Sequence, residues 1–131
     1  MEKTKYGFRK TLKTSYEEAI EKVTQSLKEQ GFGILTQIDV KEILKRKLNV
    51  DFRKYVILGA CNPPFAYRSL QAETDIGLLL PCNVIVYEGD SGNAVVSAID
   101  PESAMNMIDN PKLKEIAAQV GTKLKAVIEN L

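Results

Sequence analysis

Apolar residues recur along the chain with two different periods, and the period separates strands from helices. Residues 6–12 alternate imperfectly, which predicts a strand. A stripe with the helical period follows. Thr14 and Glu17 have capping-box spacing at its start, and Gly31 is a natural stop at its end. The stripe that predicts this first long helix consists of Tyr16, Ala19, Ile20, Val23 and Leu27.

The rest of the chain repeats these two patterns. Short β-rich or apolar runs predict strands, and their ranges are 32–40, 54–61, 82–87 and 94–99. The last two flank the glycine-rich turn EGDSGN and therefore read as a hairpin. Short helices are predicted at 39–48 and 63–72. A second long helix closes the chain, with an apolar stripe of Leu113, Ile116, Ala117, Val120, Leu124, Val127 and Ile128.

These elements predict an α+β fold. Two long amphipathic helices need one apolar surface to cover, and about five strands can supply it. The hairpin makes at least part of the sheet antiparallel. We therefore expect a mainly antiparallel sheet covered by two long helices, with short inserted helices. The 131 residues fit a single domain spanning 1–131.

Composition indicates the cellular compartment and limits the side chains that are available for catalysis or metal binding. The N-terminal residues have no apolar run, so no signal peptide is expected. The longest apolar run, at 76–86, is too short to cross a bilayer. We expect a cytoplasmic protein whose two cysteines are reduced. The chain has no histidine, which excludes serine–histidine and cysteine–histidine dyads and removes the commonest metal ligand.

Charge is unevenly distributed along the chain. Residues 1–68 carry 14 Lys and Arg against 8 Asp and Glu, whereas residues 69–111 carry seven acids and no base. Basic and acidic elements that lie side by side would explain this, as would an acidic pocket rim or a self-complementary dimer face. The basic segment KEILKRKL lacks interleaved aromatic residues, so the sequence argues against a nucleic-acid partner.

The two cysteines are the best candidates for chemistry. Cys61 ends an apolar strand, directly before an Asn62-Pro63 pair suited to begin a helix. A thiol at a helix N-terminus is favoured as the thiolate. Cys82 follows a proline and begins the next long strand.

Three functions compete with a purely structural role for these cysteines. The first is a small-molecule binding module whose pocket is lined by Cys61, Asn62, Tyr67, Cys82 and Asn83. The second is a thiol-based enzyme or redox sensor with Cys61 as the nucleophile. The third is a soft-metal site, for which two cysteines twenty residues apart are a weak signal. No cofactor can be assigned from the sequence.

A longer motif resembles a known family. The segment GACNPPFAYRSLQAETDIGLLLPCNVIVYE, followed by AIDPESAM, is similar to the signature of the domain of unknown function 302 family. The resemblance includes Cys61-Asn62-Pro63, Ala66, Leu70, Pro81-Cys82, Glu88 and Asp100-Pro101. It implies a β-α-β(4)-α fold and a homodimer, and it implies no activity.

Overall fold

A computed structural model describes residues 1–131, and its centre is one antiparallel sheet of six strands. The spatial order is β1-β2-β6-β5-β4-β3. The strands are β1 (Glu2–Lys3), β2 (Gly7–Leu12), β3 (Gly33–Asp39), β4 (Tyr55–Cys61), β5 (Cys82–Glu88) and β6 (Ala94–Ile99). The predicted α+β class is confirmed. The sequence predicts about five strands. The additional strand is β1, and its two residues are too few to show an alternation.

The helices connect and cover the strands. They are α1 (Tyr16–Glu29), α2 (Val40–Leu48), α3 (Pro63–Ala72), a 3-10 helix (Thr74–Leu79), α4 (Pro101–Ala104) and α5 (Pro111–Glu129). The two long helices, α1 and α5, pack side by side on one face of the sheet. The buried hydroxyl of Ser26 in α1 ties them together, because it donates to the Val127 carbonyl at 2.8 Å.

The main core lies between the sheet and these two helices. Alternate strand residues supply one side of it, namely Phe8, Leu12, Val56, Leu58, Ala60, Val84, Val86, Ala94, Val96 and Ala98. From α1, Ala19, Val23 and Leu27 are buried, and Tyr16 and Ile20 pack at the margin. Every residue of the predicted α5 stripe is buried. The helical periods read from the sequence therefore identify the faces that fold inward.

The start of α1 differs by one residue from the capping box expected at Thr14 and Glu17. Ser15 is the N-cap, and its hydroxyl accepts from the Glu18 backbone N–H at 3.1 Å. The Thr14 hydroxyl is buried and has no hydrogen-bond partner. Gly31 ends the helix with a positive φ of 86°, which glycine adopts without strain.

The opposite face of the sheet is covered by neither long helix. A broad groove on this face is lined by strand and loop residues and by no helix residue. We call this surface the open face. It carries Tyr55 and Ile57 of β4, Ile85 and Tyr87 of β5, and their neighbours on β2 and β6.

Candidate functional site

The junction of β4 and α3 fixes Cys61 and Asn62. Strand β4 ends at Cys61, and α3 begins at Pro63 with Asn62 in the N-cap position. The Asn62 side chain does not cap the helix; its amide nitrogen donates to the Gln30 carbonyl at 3.2 Å. Asn62 therefore joins the end of α1 to the start of α3, and its side chain is buried.

Glycine makes room on both sides of this junction. A Cβ at Gly31 would lie 3.1 Å from the Asn62 amide nitrogen. A Cβ at Gly59 would collide with the Thr36 hydroxyl and would lie only 2.8 Å from Cγ of Pro81. The bare Gly59 backbone therefore lets Pro81 pack against the sheet, directly before Cys82. The Leu80–Pro81 peptide bond is cis.

Cys61, Asn62 and Cys82 line one cavity of about 340 Å³. One wall is the inward face of α3, formed by Phe65, Ala66, Ser69 and Leu70. Ile116, Ala117 and Val120 of α5 form another wall, and Phe32, Leu80, Pro81, Pro101 and Met105 complete the inner surface. Leu35 and Leu70 line the cavity although they are 68% and 41% exposed, so they mark its opening to solvent.

The cavity wall is apolar and electrically neutral. No Asp, Glu, Lys or Arg side chain lines it. The Ser69 hydroxyl is already used within the protein, because it donates to the Phe65 carbonyl at 2.8 Å. The Asn62 amide nitrogen donates to the Gln30 carbonyl, whereas its amide oxygen has no hydrogen bond within the protein. The cavity can therefore bind an uncharged molecule mainly through apolar contact, with the Asn62 amide oxygen and the two cysteines as its remaining polar groups.

Both cysteines are free thiols, and both are partly buried. Burial is the main factor that raises the pKa of Cys82 to about 11, and the nearby Cys61 adds to the shift. Cys82 is therefore a neutral thiol at physiological pH. The two cysteines line the same cavity, and Ala60, the neighbour of Cys61, pairs with Cys82 in the sheet.

The other two residues expected in the pocket lie elsewhere. Tyr67 is 66% exposed and does not line the cavity. Asn83 is exposed and lies on the open face, because it follows Cys82 on a strand and successive side chains point to opposite faces. One cavity therefore contains Cys61, Asn62 and Cys82 but neither Tyr67 nor Asn83, and Asn83 lines a neighbouring depression beside Cys82.

Comparison with known proteins establishes the family. The family model described as "Domain of unknown function DUF302" matches residues 8–131. The chain belongs to the DUF302 family. It is similar to the crystal structure of an uncharacterized conserved DUF302 protein from Bacillus stearothermophilus, with a TM-score of 0.87 and 36% sequence identity. The match covers 94% of this chain and 95% of that one. No curated protein matches the chain.

Several cavity residues of this DUF302 protein were not anticipated from its sequence. On α3, the positions 65, 66, 69 and 70 share one helical face with the N-cap position 62, so the helical period indicates them. The α5 residues were assigned only to the core. Met105 follows α4, is buried and lines the cavity. No periodic pattern in the sequence around it predicts this position.

No group of three or more His, Cys, Asp or Glu side chains is arranged to hold a metal ion. None of the helices combines the length and the apolar character needed to cross a membrane.

Proposed function

We propose that this DUF302 protein is a small, dimeric, cytoplasmic binding module, built as one domain, that holds a neutral apolar ligand beside Cys61 and Cys82. The observation that carries the proposal is the cavity wall, which has no charged side chain and in which the Asn62 amide nitrogen and the Ser69 hydroxyl already donate hydrogen bonds within the protein. The two free thiols support the cytoplasmic part of the proposal, because reduced cysteines are typical of that compartment.

The cavity suits a compact apolar molecule. Its volume of about 340 Å³ lies at the lower end of the range typical of small-molecule sites. Each Å² of apolar surface removed from water contributes roughly 25 cal/mol, so shape and size decide the affinity. A charged ligand would lose its hydration without gaining a partner on the wall, and this is costly.

A pair of fluorescent probes tests this ligand class. N-phenyl-1-naphthylamine is neutral, and 1-anilinonaphthalene-8-sulfonate has the same ring system with an added sulfonate. We expect the neutral probe to bind about tenfold more tightly or better, because the wall offers the sulfonate no cation. Fluorescence titration measures both affinities. Equal affinity, or tighter binding of the sulfonate, would contradict the proposed ligand class.

Two matched variants on α3 locate the bound probe. Ala66→Trp puts an indole on the cavity wall, whereas Ala72→Trp puts the same group on the same helix outside the cavity. We expect Ala66→Trp to abolish binding of the neutral probe and Ala72→Trp to leave it unchanged. Unchanged binding by Ala66→Trp would mean that the probe binds elsewhere.

A thiol-based reaction has weaker support. No carboxylate, lysine or arginine lines the cavity, so no charged group there can accept a proton from Cys61 or stabilise its thiolate. Cys82 is disfavoured as a nucleophile, because burial raises its pKa to about 11.

A soft-metal site is the second candidate, and Met105 is the specific observation that favours it. Met105 lines the same cavity as Cys61 and Cys82, and Met105 and Cys82 also share the wall of a neighbouring depression. Thiolates and thioethers prefer soft ions such as Cu(I). Cu(I) would displace the thiol protons on binding.

Anaerobic competition with the Cu(I) chelator bicinchoninate tests this candidate. We expect one Cu(I) per chain, with binding lost in Cys61→Ser and Cys82→Ser and weakened in Met105→Leu. Met107→Leu is the matched control, because Met107 is 79% exposed and lies outside the cavity. Equal Cu(I) affinity in all four variants would contradict a site at the cavity.

A further inference from the structure

We propose that two copies of this chain associate through the open face of the sheet, so that each copy covers the apolar surface of the other. This inference rests on the dimeric state in the proposed function. It does not rest on the ligand cavity, which lies between the sheet and the helices.

The central strands are apolar on both faces. In β4 and β5, Val56, Leu58, Val84 and Val86 are buried beneath the helices. On the open face these strands carry Tyr55, Ile57, Ile85 and Tyr87, with Asn83 as the polar residue at one end of β5, and Ile57 pairs with Ile85. An antiparallel sheet with one face in water normally alternates apolar and polar residues, whereas continuous apolar strands are typical of sheets covered on both sides. The sequence of these strands therefore calls for a cover.

The aromatic residues on the open face favour a protein surface as that cover. The Tyr55 and Tyr87 rings stack at 5.4 Å with an interplanar angle of 9°, and Phe52 packs against Tyr55 at 6.1 Å. The Arg53 guanidinium lies 5.9 Å from the centre of the Tyr87 ring. Bases of single-stranded nucleic acid bind to free ring faces. Here the faces already contact one another, so the rings present mainly their edges to a partner.

The charges on the open face are compatible with contact between two copies, because most of them are neutralised within the chain. Lys5, Arg9 and Arg53 line the groove, and no carboxylate lines it. Arg9 is paired with Glu2 at 2.9 Å, and Arg53 with Asp90 at 3.1 Å. Two of the three cations are thus neutralised within the chain. A twofold contact places a surface against itself, so a nearly neutral surface avoids the repulsion that a strongly basic one would create.

The number of residues on the open face and the constant presence of other copies of the chain favour a second copy over another partner. Fourteen residues line the groove, and the adjoining edges of β1 and β3 bring the surface close to the roughly 20–30 residues that each side of a stable interface contributes. Seven of the fourteen lining residues are hydrophobic, and a cover removes their exposed apolar surface from water. Another copy of the chain is always present at the same concentration, and twofold dimers are the commonest assembly.

Charge-introducing variants test the interface by sedimentation velocity across a dilution series. Ile85→Lys changes the middle of the open face, and Ser97→Glu adds a charge beside it while keeping the apolar residues. Met107→Lys is the control, because Met107 is 79% exposed and lines neither the open-face groove nor the ligand cavity. We expect a wild-type dimer, about tenfold or greater weakening in both face variants, and no change in the control. Circular dichroism and neutral-probe binding verify that each variant is folded.

The remaining outcomes separate this interface from the proposed function. A wild-type dimer that both face variants leave intact would overturn the interface and leave the dimer standing. A wild-type monomer at micromolar concentration would overturn both. A dimer that dissociates as salt rises would indicate association through exposed charges and would also overturn this interface. Loss of probe binding in Ala66→Trp reports on the cavity alone.

Discussion

Gly59 is the position at which the structure most sharply predicts the cost of a single methyl group. Its Cβ would collide with the Thr36 hydroxyl and would approach Cγ of Pro81 to 2.8 Å. Thr36 is exposed and can rotate, but the proline ring is rigid, so the segment that carries Cys82 must move. Overpacking of this kind costs about 1–3 kcal/mol. We expect Gly59→Ala to lower the free energy of unfolding by that amount.

Gly121 provides a matched substitution with the opposite expected sign. It lies inside α5 and is buried, and a Cβ there would be 3.6 Å from Cδ of Pro101, an ordinary contact distance. Alanine is favoured over glycine in a helix interior by about 1 kcal/mol. We expect Gly121→Ala to raise the free energy of unfolding by about 0.5–1 kcal/mol.

Urea unfolding at one fixed protein concentration measures both changes, because the stability of an associating protein depends on concentration. The dependence of the free energy on urea should stay the same, so that the midpoints report stability. A Gly59→Ala protein as stable as the wild type would refute the packing assigned to Pro81. A destabilised Gly121→Ala protein would refute the contact described between α4 and α5.

Two further predictions concern α1 and Cys82. Ser15→Ala should lower the free energy of unfolding by about 1 kcal/mol, because the N-cap hydrogen bond is lost. Thr14→Val should leave the free energy of unfolding unchanged or raise it, because it removes a buried hydroxyl without a partner. Equal urea midpoints for the two variants would contradict this assignment. The raised pKa of Cys82 means that the folded protein prefers the protonated thiol, so its contribution is complete below pH about 9 and is lost as the pH rises to about 11. Wild-type stability relative to Cys82→Ala should therefore fall by roughly 1–3 kcal/mol over that range, and a constant difference would contradict the burial of this thiol.

The elements with long periodic patterns were predictable from the sequence, and their exact ends were not. Both long helices and the hairpin carry enough apolar positions to define a face. At the start of α1, however, Thr14 with Glu17 and Ser15 with Glu18 have the same capping-box spacing. In the folded protein Ser15 is the N-cap, and the Thr14 hydroxyl is buried. The strand β1 consists of two residues and exists only because it pairs with β2.

The candidate site was predictable where neighbouring chain segments meet. Cys61, Asn62 and Cys82 lie at adjacent strand ends, and all three line one cavity. Tyr67 points away because it lies outside the helical face shared by positions 62, 65, 66, 69 and 70. Asn83 follows Cys82 on a strand and must point to the opposite face. The helical and strand periods therefore predict that Tyr67 and Asn83 do not line the cavity, whereas the position of Met105 in its wall depends on long-range packing.

Methyl NMR of selectively labelled methionine tests the central claim, a cavity that binds a neutral apolar ligand, most directly. The chain has three methionines. Met105 lines the cavity, while Met1 and Met107 are exposed and serve as internal controls. Titration with N-phenyl-1-naphthylamine should shift the Met105 methyl signal, assigned with Met105→Leu, to saturation and should give nuclear Overhauser effects between probe and methyl group. An unmoved Met105 signal at saturating probe, or equal shifts of all three methyl groups, would contradict the account.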